Sequence, residues 1–470
     1  MPNRAEFLSG LETILGERGL VPADAHAPHL TDWRKLFTGR ALAVARPATT
    51  AEVSAVVALA ARHGVAVVPQ GGNTGMAAGA VPTEDGGELV LSLSRLNRIR
   101  ELDPVDMTLT VDAGVTLKAA QDAASAQDCK LPLSIGAEGT AQIGGIVATN
   151  AGGNNTLRYG NARDLLLGLE VVLPNGDVWN GLRRLRKDNA GYCLRHLFAG
   201  SEGTLGVITG AVLQLVPAPV SQAVALCALP SVEAALALYA LFRRHDATAI
   251  QAFEYMSGTS MDMVLTHIPR TSLPLATPAR HYVLVELATT RSKADLRSEI
   301  ESVLESAIAA EIVLDAVVAQ SGSQRDAMWK LREEHAEAQR RAGASVKNDV
   351  SVPLSRIPEL LHRGSKASAA VLSGIRVAPF GHMGDGNIHL NISQPAGGDK
   401  QAFLARWNEV NEIVFKIVLE LGGTISAEHG IGVLKRALLR EVKSPLELRM
   451  MEAIKRSLDP AGIMNPGKVL

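Results

Sequence analysis

Apolar residues recur along the chain with two alternating spacings, and this alternation predicts an α+β fold. The N-terminal stripe formed by Phe7, Leu8, Leu11, Ile14 and Leu15 has the spacing of one helical face. Short runs of β-branched and aliphatic residues follow, separated by helical periodicity or glycine-rich turns. The strands predicted before residue 219 are Ala41–Ala45, Val65–Val68, Leu89–Leu93, Leu109–Val111 and Leu166–Leu173, and the helices are Glu52–His63 and Leu117–Ala126.

The pattern changes after Pro217-Ala218-Pro219, where we place the end of the first domain. Longer strands then alternate with longer helices, which is typical of an antiparallel sheet covered by helices on one face. The predicted strands include Val224–Leu229 and Tyr282–Glu286. The predicted helices lie near residues 231–244, 294–309, 323–342, 403–421 and 434–455.

The stretch Pro379–Asn391 contains the strongest hairpin signal in the chain. Asp385-Gly386 is flanked by alternating apolar residues and predicts a two-residue turn. This turn places His382 opposite His389 on one face, with Cβ atoms about 4.5–5.5 Å apart, and Asn391 joins that face. The opposite, core-facing side carries Ile388, Leu390 and Ile392. A three-residue loop that uses Gly386 would shift this register. Two facing imidazoles could bind one metal ion, whereas a lone histidine here would be an ordinary polar or core residue.

Three glycine-rich tracts precede the hairpin, at Pro69–Met76, Gly139–Gly153 and Leu197–Ile208. Glycines in the first tract allow positive φ angles that point successive N–H groups into one concavity, which suits a pyrophosphate, although a plain tight turn is the alternative. The second tract has no charged residue, so a flat ring could approach its backbone closely. No G-x-G-x-x-G motif stands between a strand and a helix, and a Rossmann-type nicotinamide site is therefore not supported.

Composition narrows the classes of function. The chain has 470 residues, 47 of them basic and 48 acidic, and its net charge is -1. This balance leaves no broad basic field for nucleic acid or an anionic membrane, and no apolar run is long enough to predict a membrane span. The three cysteines, Cys129, Cys193 and Cys227, form no close pair in the sequence. Sparse cysteines favour a reducing, cytoplasmic location.

Taken in order, the three glycine-rich tracts resemble the flavin-binding half of the vanillyl-alcohol-oxidase superfamily, which has a PCMH-type FAD-binding domain. The hairpin, Ser426–Gly432 and Asn465-Pro-Gly-Lys468 resemble its D-2-hydroxy-acid dehydrogenase branch, which includes the D-2-hydroxyglutarate and D-lactate dehydrogenases. Further stretches that fit this branch are Asp32-Trp33, Arg158-Tyr159-Gly160 and Leu185–Tyr192. The resemblance covers the chain from about residue 30 to its end.

This resemblance implies an α+β chain in four parts. A PCMH-type FAD-binding domain of two α+β subdomains precedes a substrate domain, in which helices cover an antiparallel sheet, and a C-terminal helical segment completes the active site and the flavin site. The predicted bounds are 1–38 for an N-terminal helical lead-in, 39–219 for the FAD-binding domain, 220–425 for the substrate- and metal-binding domain, and 426–470 for the C-terminal segment.

The resemblance also implies FAD as a noncovalent cofactor, since the first glycine-rich loop has no histidine or cysteine placed for a covalent link. The backbone N–H groups of Gln70–Met76 should cradle the pyrophosphate, and Asn465 should lie near the flavin edge. The residues expected to contact FAD are Pro69, Gln70, Gly71, Gly72, Asn73, Thr74, Gly75, Met76, Gly139, Thr140, Gly144, Gly145, Ala148, Thr149, Asn150, Gly152, Glu202, Gly203, Gly206, Val207, Ile208 and Asn465.

By the same resemblance, Glu428 joins His382 and His389 as a ligand of a divalent ion. Two imidazoles and a carboxylate suit Zn²⁺ in a catalytic site, with Mn²⁺ or Co²⁺ as alternatives. His429 is the predicted general base, because a neutral imidazole can accept the proton of a metal-bound hydroxyl.

Substrate carboxylates require cations. Arg332 suits a bidentate clamp and Lys347 can add a point charge, although each could instead be a solvated charge. Asn391 and His429 are also expected to contact the substrate. The hydroxyglutarate enzymes that this chain resembles carry a threonine four residues after the arginine, and Ala336 stands there instead. The contact to the distal carboxylate is therefore expected to differ.

The expected reaction oxidises a small D-2-hydroxy acid, with D-2-hydroxyglutarate favoured, to the 2-keto acid by hydride transfer to flavin N5. D-lactate and D-malate are alternative substrates of the same machinery. A noncatalytic flavoprotein subunit of a glycolate-oxidase-like complex need not keep the histidines and Glu428, and a zinc hydrolase would leave the glycine tracts without a role. The expected electron acceptor is an electron-transfer flavoprotein, a quinone or a cytochrome, and a homodimer is left open.

Overall fold

The computed structural model describes residues 4–470, so residues 1–3 of the predicted lead-in lie outside the described residues. Contacts divide the chain into two compact units. The first unit contains the described residues up to Gly153, Tyr159–Ala218 and Glu428–Leu470, and the second contains Asn154–Arg158 and Pro219–Ala427. The predicted domain bounds at residues 38, 219 and 425 stay predictions.

The described chain alternates strands and helices throughout. The strands are β1 (Ala41–Ala45), β2 (Val67–Gln70), β3 (Glu88–Ser92), β4 (Ile99–Asp103), β5 (Thr108–Asp112), β6 (Cys129–Lys130), β7 (Leu166–Val172), β8 (Val178–Gly181), β9 (Val207–Gln214), β10 (Val216–Pro217), β11 (Ser221–Leu229), β12 (Ile250–Ser257), β13 (His281–Thr289), β14 (Asp315–Val318), β15 (Ser345–Val346), β16 (Asp349–Ser351), β17 (Arg376–Val377), β18 (Phe380–Gly381), β19 (Asn387–His389) and β20 (Ile392–Ser393). The α-helices are α1 (Arg4–Leu15), α2 (Ala27–Leu30), α3 (Thr50–His63), α4 (Leu117–Ser125), α5 (Ile143–Thr149), α6 (Thr156–Tyr159), α7 (Arg195–Phe198), α8 (Val232–Asp246), α9 (Gly258–His267), α10 (Leu296–Ala309), α11 (Gly322–Glu333), α12 (His335–Arg341), α13 (Ile357–Val371), α14 (Lys400–Leu404), α15 (Trp407–Glu420), α16 (Arg436–Val442) and α17 (Pro445–Leu458).

The first unit is built on two main sheets that share one hydrophobic core, and β6 pairs with β10 in a small two-stranded sheet. A parallel sheet has the strand order β1-β3-β2, and an antiparallel sheet has the order β4-β5-β9-β7-β8. The central strand β3 is buried along its whole length, which explains why parallel strands appear as nearly continuous apolar runs. Leu89 and Leu91 of the parallel sheet lie in the same core cluster as Leu109 and Val171 of the antiparallel sheet.

The C-terminal segment of the first unit extends the edge of the parallel sheet. The N–H of Val67 donates to the carbonyl of Ile463 at 2.8 Å, and the N–H of Asn465 donates to the carbonyl of Val67 at 2.8 Å. Ile463 and Met464 are part of the same core. These contacts fix Asn465 beside β2, nearly 400 residues earlier in the chain (386 residues separate Asn465 from Gly79, to which it also bonds).

The second unit is built on a seven-stranded sheet with the order β14-β11-β13-β12-β18-β19-β16. The neighbouring strands in this sheet pair antiparallel, so the predicted α+β class with an antiparallel second sheet is confirmed. A separate three-stranded sheet has the order β15-β20-β17. Because β12 pairs with β18, the histidine-containing stretch is joined to the central strands of the larger sheet.

Three long helices predicted from periodicity are each split in two. The helix predicted near 323–342 is interrupted between α11 and α12, the one at 403–421 between α14 and α15, and the one at 434–455 between α16 and α17. In the last case the reason is local. Pro445 cannot donate an N–H within a helix, and Ser444 forms a capping box with Glu447 that begins α17 anew.

Among the helices of residues 4–470, none combines the length and the apolar character that crossing a membrane would require.

Candidate active site

The first glycine-rich tract forms a loop after β2 whose backbone is turned away from intramolecular partners. Within residues 4–470, the N–H groups of Gly71–Met76 donate to no backbone or side-chain acceptor. All six residues except Gly75 are half-buried, and such N–H groups normally find a partner. This run of unpaired N–H groups fits an anion cradle. Gly72 has a separate steric reason, since a Cβ there would lie 1.9 Å from the carbonyl oxygen of Thr140.

Two side chains of this loop have a role that the sequence did not suggest. The Nε2 of Gln70 donates to the carbonyls of His29 (3.0 Å) and Ala80 (2.7 Å). The Nδ2 of Asn73 donates to the carbonyls of Pro28 (3.1 Å) and Thr31 (2.9 Å). These amides tether the N-terminal lead-in to the loop. The predicted cofactor role of the loop therefore depends on its backbone.

In the second tract, neighbouring glycines serve different purposes. A Cβ on Gly144 would lie 2.7 Å from the Cβ of Ala113, so Gly144 permits close packing of α5. A Cβ on Gly139 or Gly145 would meet no atom within 4 Å, which leaves open space above the backbone. Gln142 begins α5, and its buried Oε1 has no hydrogen-bond partner among the described residues. Open space beside an unpaired acceptor fits a bound ring system, and sequence reasoning missed Gln142.

The third tract contains Glu202, which is engaged with the C-terminal segment of the same unit. Its two carboxylate oxygens accept the N–H groups of Ile431 (2.7 Å) and Gly432 (2.8 Å). Burial raises the pKa of Glu202, against the opposing effects of these N–H groups and Lys435. Asn465 donates its Nδ2 to the carbonyls of Gly79 and Glu202 at 2.9 and 2.8 Å. Glu202 therefore fixes the backbone immediately after Glu428 and His429.

Other predicted contacts in these tracts are mainly packed into the fold. Val207 and Ile208 lie in β9 and belong to the core of the first unit. The Oδ1 of Asn150 accepts the N–H of Arg163 at 2.9 Å. Gly206 is required because a Cβ there would lie 2.9 Å from the carbonyl oxygen of Val172.

The hairpin of the second unit has a different register from the predicted one. β18 and β19 pair Phe380 with His389, so the prediction that His382 stands opposite His389 is wrong. The connection is a 3-10 turn over Met383–Asp385 followed by Gly386 at φ +90°, and His382 lies before this turn, outside the strand. A wider loop with a left-handed glycine replaces the two-residue turn.

The two histidine rings nevertheless meet. Their centroids are 5.7 Å apart in an edge-to-face arrangement. The predicted core-facing side chains, Ile388, Leu390 and Ile392, are all fully buried. The prediction that the two imidazoles converge is confirmed, although the strand register and the loop that bring them together differ from the predicted ones.

Each histidine has a buried carboxylate beside its Nδ1. The Nδ1 of His382 lies 3.0 Å from both carboxylate oxygens of Glu254. The Nδ1 of His389 lies 3.7 Å from Asp349, its partner across the β16–β19 ladder. A carboxylate at Nδ1 favours the tautomer whose lone pair is on Nε2, the usual arrangement of a metal-binding histidine. The donor set of this unit therefore fits a metal ion.

Glu254 also binds Arg332, the predicted substrate clamp. Arg332 donates its Nε (2.8 Å) to Oε2 of Glu254, and its Nη2 lies 2.7 Å from the same oxygen. Its guanidinium also lies over the ring of Phe380, 5.2 Å from the centroid. Although burial opposes ionisation, His382 and Arg332 hold the pKa of Glu254 below its usual value. Nη2 also lies 3.4 Å from Nδ1 of His382, and Nη1 has no hydrogen bond within residues 4–470. The role of Arg332 as a substrate clamp stays a prediction.

The remaining predicted substrate residues differ in surroundings. Asn391 is buried, donates its Nδ2 to Gln339 (2.8 Å) and accepts the N–H of Asn348 (3.2 Å). Lys347 is half-buried between β15 and β16. Ala336 is exposed on α12. Glu428 and His429 follow Ala427 directly and begin the C-terminal segment of the first unit. All of these predicted roles stay predictions.

Glu254 and Asp349 were missed by sequence reasoning, but a signal was present. Glu254 is a carboxylate within β12, Ile250–Ser257, where every residue is buried. A charged residue in such a strand requires partners, which makes it a candidate for a site.

Two family models match the chain. The FAD binding domain model matches residues 41–181, and the model of the C-terminal domain of FAD linked oxidases matches residues 218–469. The chain belongs to the FAD-linked oxidase family. The predicted family and the FAD cofactor are thereby confirmed.

Relatives agree with this assignment, and a solved structure has the same fold. The chain is 39% identical over 440 residues to the D-2-hydroxyglutarate dehydrogenase of Xanthomonas citri pv. viticola, covering 93% of this chain and 91% of that one. It is 37% identical to a mitochondrial protein of Schizosaccharomyces pombe, provisionally named as a D-lactate dehydrogenase, over 95% of this chain and 85% of that one. The crystal structure of p-cresol methylhydroxylase with substrate bound has the same fold, with a TM-score of 0.76 at 17% identity over 99% of this chain and 96% of that one.

Proposed function

We propose that the protein is a FAD- and divalent-metal-dependent dehydrogenase that oxidises a D-2-hydroxy acid, with D-2-hydroxyglutarate favoured, to the 2-keto acid. The observation that carries the proposal is the pair His382 and His389, each with a carboxylate at Nδ1, in a chain of the FAD-linked oxidase family. The name of the Xanthomonas relative, which is similar over nearly the whole chain, supports the substrate class.

FAD, when bound, supplies a hydride acceptor at N5. The unpaired N–H groups of Gly71–Met76 would hold its pyrophosphate, and the open space at Gly139 and Gly145 would admit its rings. Asn465 would lie beside the flavin edge, anchored through its Nδ2 while its buried Oδ1 has no partner among the described residues.

His382, His389 and Glu428 would hold the divalent ion, which we propose to be Zn²⁺, Mn²⁺ or Co²⁺. Such an ion stabilises negative charge on the oxygen of a bound 2-hydroxyl. His429 would accept the hydroxyl proton as C2 loses its hydride to the flavin. Nη1 of Arg332 and the ammonium of Lys347 would attract the substrate carboxylates.

The proposal is tested by anaerobic bleaching of the flavin in metal-analysed protein. D-2-hydroxyglutarate should bleach the absorbance near the flavin maximum, its L-enantiomer should not, and removal of the metal with a chelator should abolish bleaching until Zn²⁺, Mn²⁺ or Co²⁺ is restored. Bleaching by L-acids only, or by none of the panel, would overturn the proposed reaction. Full bleaching by the metal-free protein would overturn metal dependence alone.

D-lactate and D-malate belong in the same panel. The relative from Schizosaccharomyces pombe and the exposed Ala336, which stands where the hydroxyglutarate enzymes are expected to carry threonine, both favour including them. A ratio of kcat/KM that favours a small monocarboxylate over D-2-hydroxyglutarate would select D-lactate as the substrate.

We further propose a cytoplasmic location and an electron-transfer flavoprotein, quinone or cytochrome as the acceptor, which cell fractionation and acceptor assays would test. A homodimer would be detected by light scattering.

A further inference from the structure

Glu254 is a carboxylate in the middle of a fully buried strand. It lies on β12, between Phe253 and Tyr255, and only 1% of its surface is exposed. Moving a carboxylate from water into such surroundings is strongly unfavourable unless donors compensate it. The identity of those donors therefore indicates what the carboxylate is for.

The donors of Glu254 are two side chains from distant parts of the second unit. His382 is 128 residues away in sequence and presents Nδ1 at 3.0 Å from Oε1. Arg332 is 78 residues away and donates Nε to Oε2 at 2.8 Å. Both carboxylate oxygens are thus engaged, and one residue fixes the orientation of an imidazole and of a guanidinium together.

The geometry determines which nitrogen of His382 carries the proton. An ionised carboxylate only accepts hydrogen bonds, and Nδ1 of His382 lies closer to Glu254, at 3.0 Å, than to Nη2 of Arg332, at 3.4 Å. Nδ1 therefore carries the proton. The lone pair of the neutral ring is then on Nε2. His389 has a longer contact of this kind, 3.7 Å to Asp349, so His382 is the more firmly oriented of the pair.

We propose that Glu254 is a positioning residue that holds His382 as an Nε2 donor to the metal and, with the same carboxylate, fixes the orientation of the Arg332 guanidinium. The proposal rests on the proposed function, because it assumes that His382 is a metal ligand. The proposed role differs from a simpler one, in which Glu254 only neutralises a buried arginine. Outer hydrogen-bond partners of metal-binding histidines typically change metal affinity by about 10–100-fold when they are replaced.

The test measures metal affinity directly. Metal-free holoprotein, with its FAD retained, is titrated with Co²⁺ and with Zn²⁺ against a chelator of known affinity, and the visible absorption of bound Co²⁺, resolved as a difference spectrum over the flavin, reports its ligand field. Glu254→Gln keeps the shape of the side chain but loses its charge and places N–H donors toward Nδ1 or Arg332. It should weaken metal binding about 10–100-fold and alter the Co²⁺ spectrum, while flavin content stays at one per chain.

Glu286 provides a matched control. It lies on the adjacent strand β13, is 5% exposed, and accepts the indole N–H of Trp329 on the same helix as Arg332. Glu286→Gln removes an equally buried carboxylate and should leave metal affinity within about twofold of the parent protein. An equal loss in both variants would show that metal binding responds to any buried charge change on this sheet and would overturn the proposal.

A double variant separates positioning from charge neutralisation and covers the case in which Glu254→Gln folds poorly. Glu254→Gln combined with Arg332→Met removes both buried charges, and replacing a buried ion pair by apolar groups is often tolerated. Metal affinity should stay reduced in the double variant. Its return to the parent value would mean that Glu254 serves only Arg332, and unchanged affinity in Glu254→Gln would likewise refute positioning. A parent protein that binds neither Co²⁺ nor Zn²⁺ would instead refute the metal assignment itself.

Discussion

Two glutamates, the buried Glu254 of the second unit and the half-buried Glu202 of the first, are held by different kinds of partners. Glu254 is held by side chains, since Arg332 and His382 contact its oxygens. Glu202 is held by backbone N–H groups of Ile431 and Gly432. Burial raises the pKa of both carboxyls, but the neighbouring charges lower the pKa of Glu254 overall, whereas that of Glu202 stays raised. The Arg332 and His382 side chains outweigh desolvation at Glu254, whereas the backbone N–H groups and Lys435 do not outweigh it at Glu202.

This difference indicates two ways of building a site. Glu254 orients side chains and sets the tautomer of a proposed metal ligand. Glu202 orients backbone, and the backbone that it fixes begins two residues after His429. A change at Glu254 should therefore appear in metal affinity, and a change at Glu202 in the order of the C-terminal segment.

The largest expected effect is at the segment that Glu202 fixes. His429→Asn removes the proposed general base, so turnover should fall about 10²–10⁴-fold while flavin content and metal affinity are retained. Steady-state kinetics and flavin spectra measure this. His245→Asn, an exposed histidine on α8, is the control and should keep full turnover. Full turnover in His429→Asn would show that His429 is not the general base. The Glu202 contact would then have no catalytic residue to position in this segment.

Glu202→Ala tests the backbone contact itself. Glutamate and alanine both have a Cβ, so the positive φ of 51° at position 202 is equally strained with either residue. The variant therefore isolates the loss of the carboxylate. Two part-buried N–H groups lose their acceptor, at up to about 1–3 kcal/mol each. Denaturant unfolding should show this loss, and hydrogen exchange should show faster exchange at Ile431 and Gly432.

The control for Glu202→Ala is Glu441→Ala, an exposed glutamate in the same C-terminal segment. It should change the free energy of unfolding by no more than about 0.5 kcal/mol. Slow hydrogen exchange at Ile431 in Glu202→Ala would show that the carboxylate does not order this segment. Glu202 would then not be a positioning residue comparable to Glu254.

The contrast also marks what the sequence could and could not predict. β1 was predicted at its observed bounds because its apolar run is a local signal. The register of the hairpin was not, because Asp385-Gly386 is compatible with more than one loop, and the wider 3-10 turn was selected. The partners of Glu254 lie 78 and 128 residues away, and those of Glu202 lie 229 and 230 residues away. Local periodicity has no information on such pairs, which only the tertiary fold brings together.

His335 extends the comparison to a buried base without a counter-charge. It is fully buried, its Nδ1 lies 2.8 Å from the hydroxyl of Ser260, and burial lowers its pKa to about 3. The unfolded chain has a histidine pKa of about 6.5, so the unfolded state binds more protons between these values. The stability that is present above pH 6.5 is therefore lost as the pH falls toward 3, at no more than about 1.4 kcal/mol per pH unit.

His335→Gln should remove this titration and flatten the dependence of unfolding free energy on pH between about 6.5 and 4. Urea unfolding at a series of pH values measures it, with His245→Asn as the control that should keep the slope of the parent protein. An unchanged slope in His335→Gln would mean that His335 is protonated in the folded state, and that burial alone does not decide the charge of such groups in this chain.

The smallest effect is expected at Glu447, which repeats the chemistry of Glu202 at the surface. Its carboxylate accepts the N–H of Ser444 at 3.1 Å in the capping box of α17, and Lys443 lies 2.8 Å away. The hydrogen bond from Lys443 and the contacts with Ser444 lower the pKa of Glu447 to about 2. A lowered pKa contributes stability above the unfolded value of about 4.3, and this contribution is lost as the pH falls toward 2.

Water can replace the lost acceptor at this exposed position, so Glu447→Ala should lower Tm by less than Glu202→Ala does at pH 7. The difference in Tm between Glu447→Ala and the parent protein should shrink by pH 3. Calorimetry at the two pH values measures both, and a decrease as large as that of Glu202→Ala would show that burial is not what makes the Glu202 contact strong.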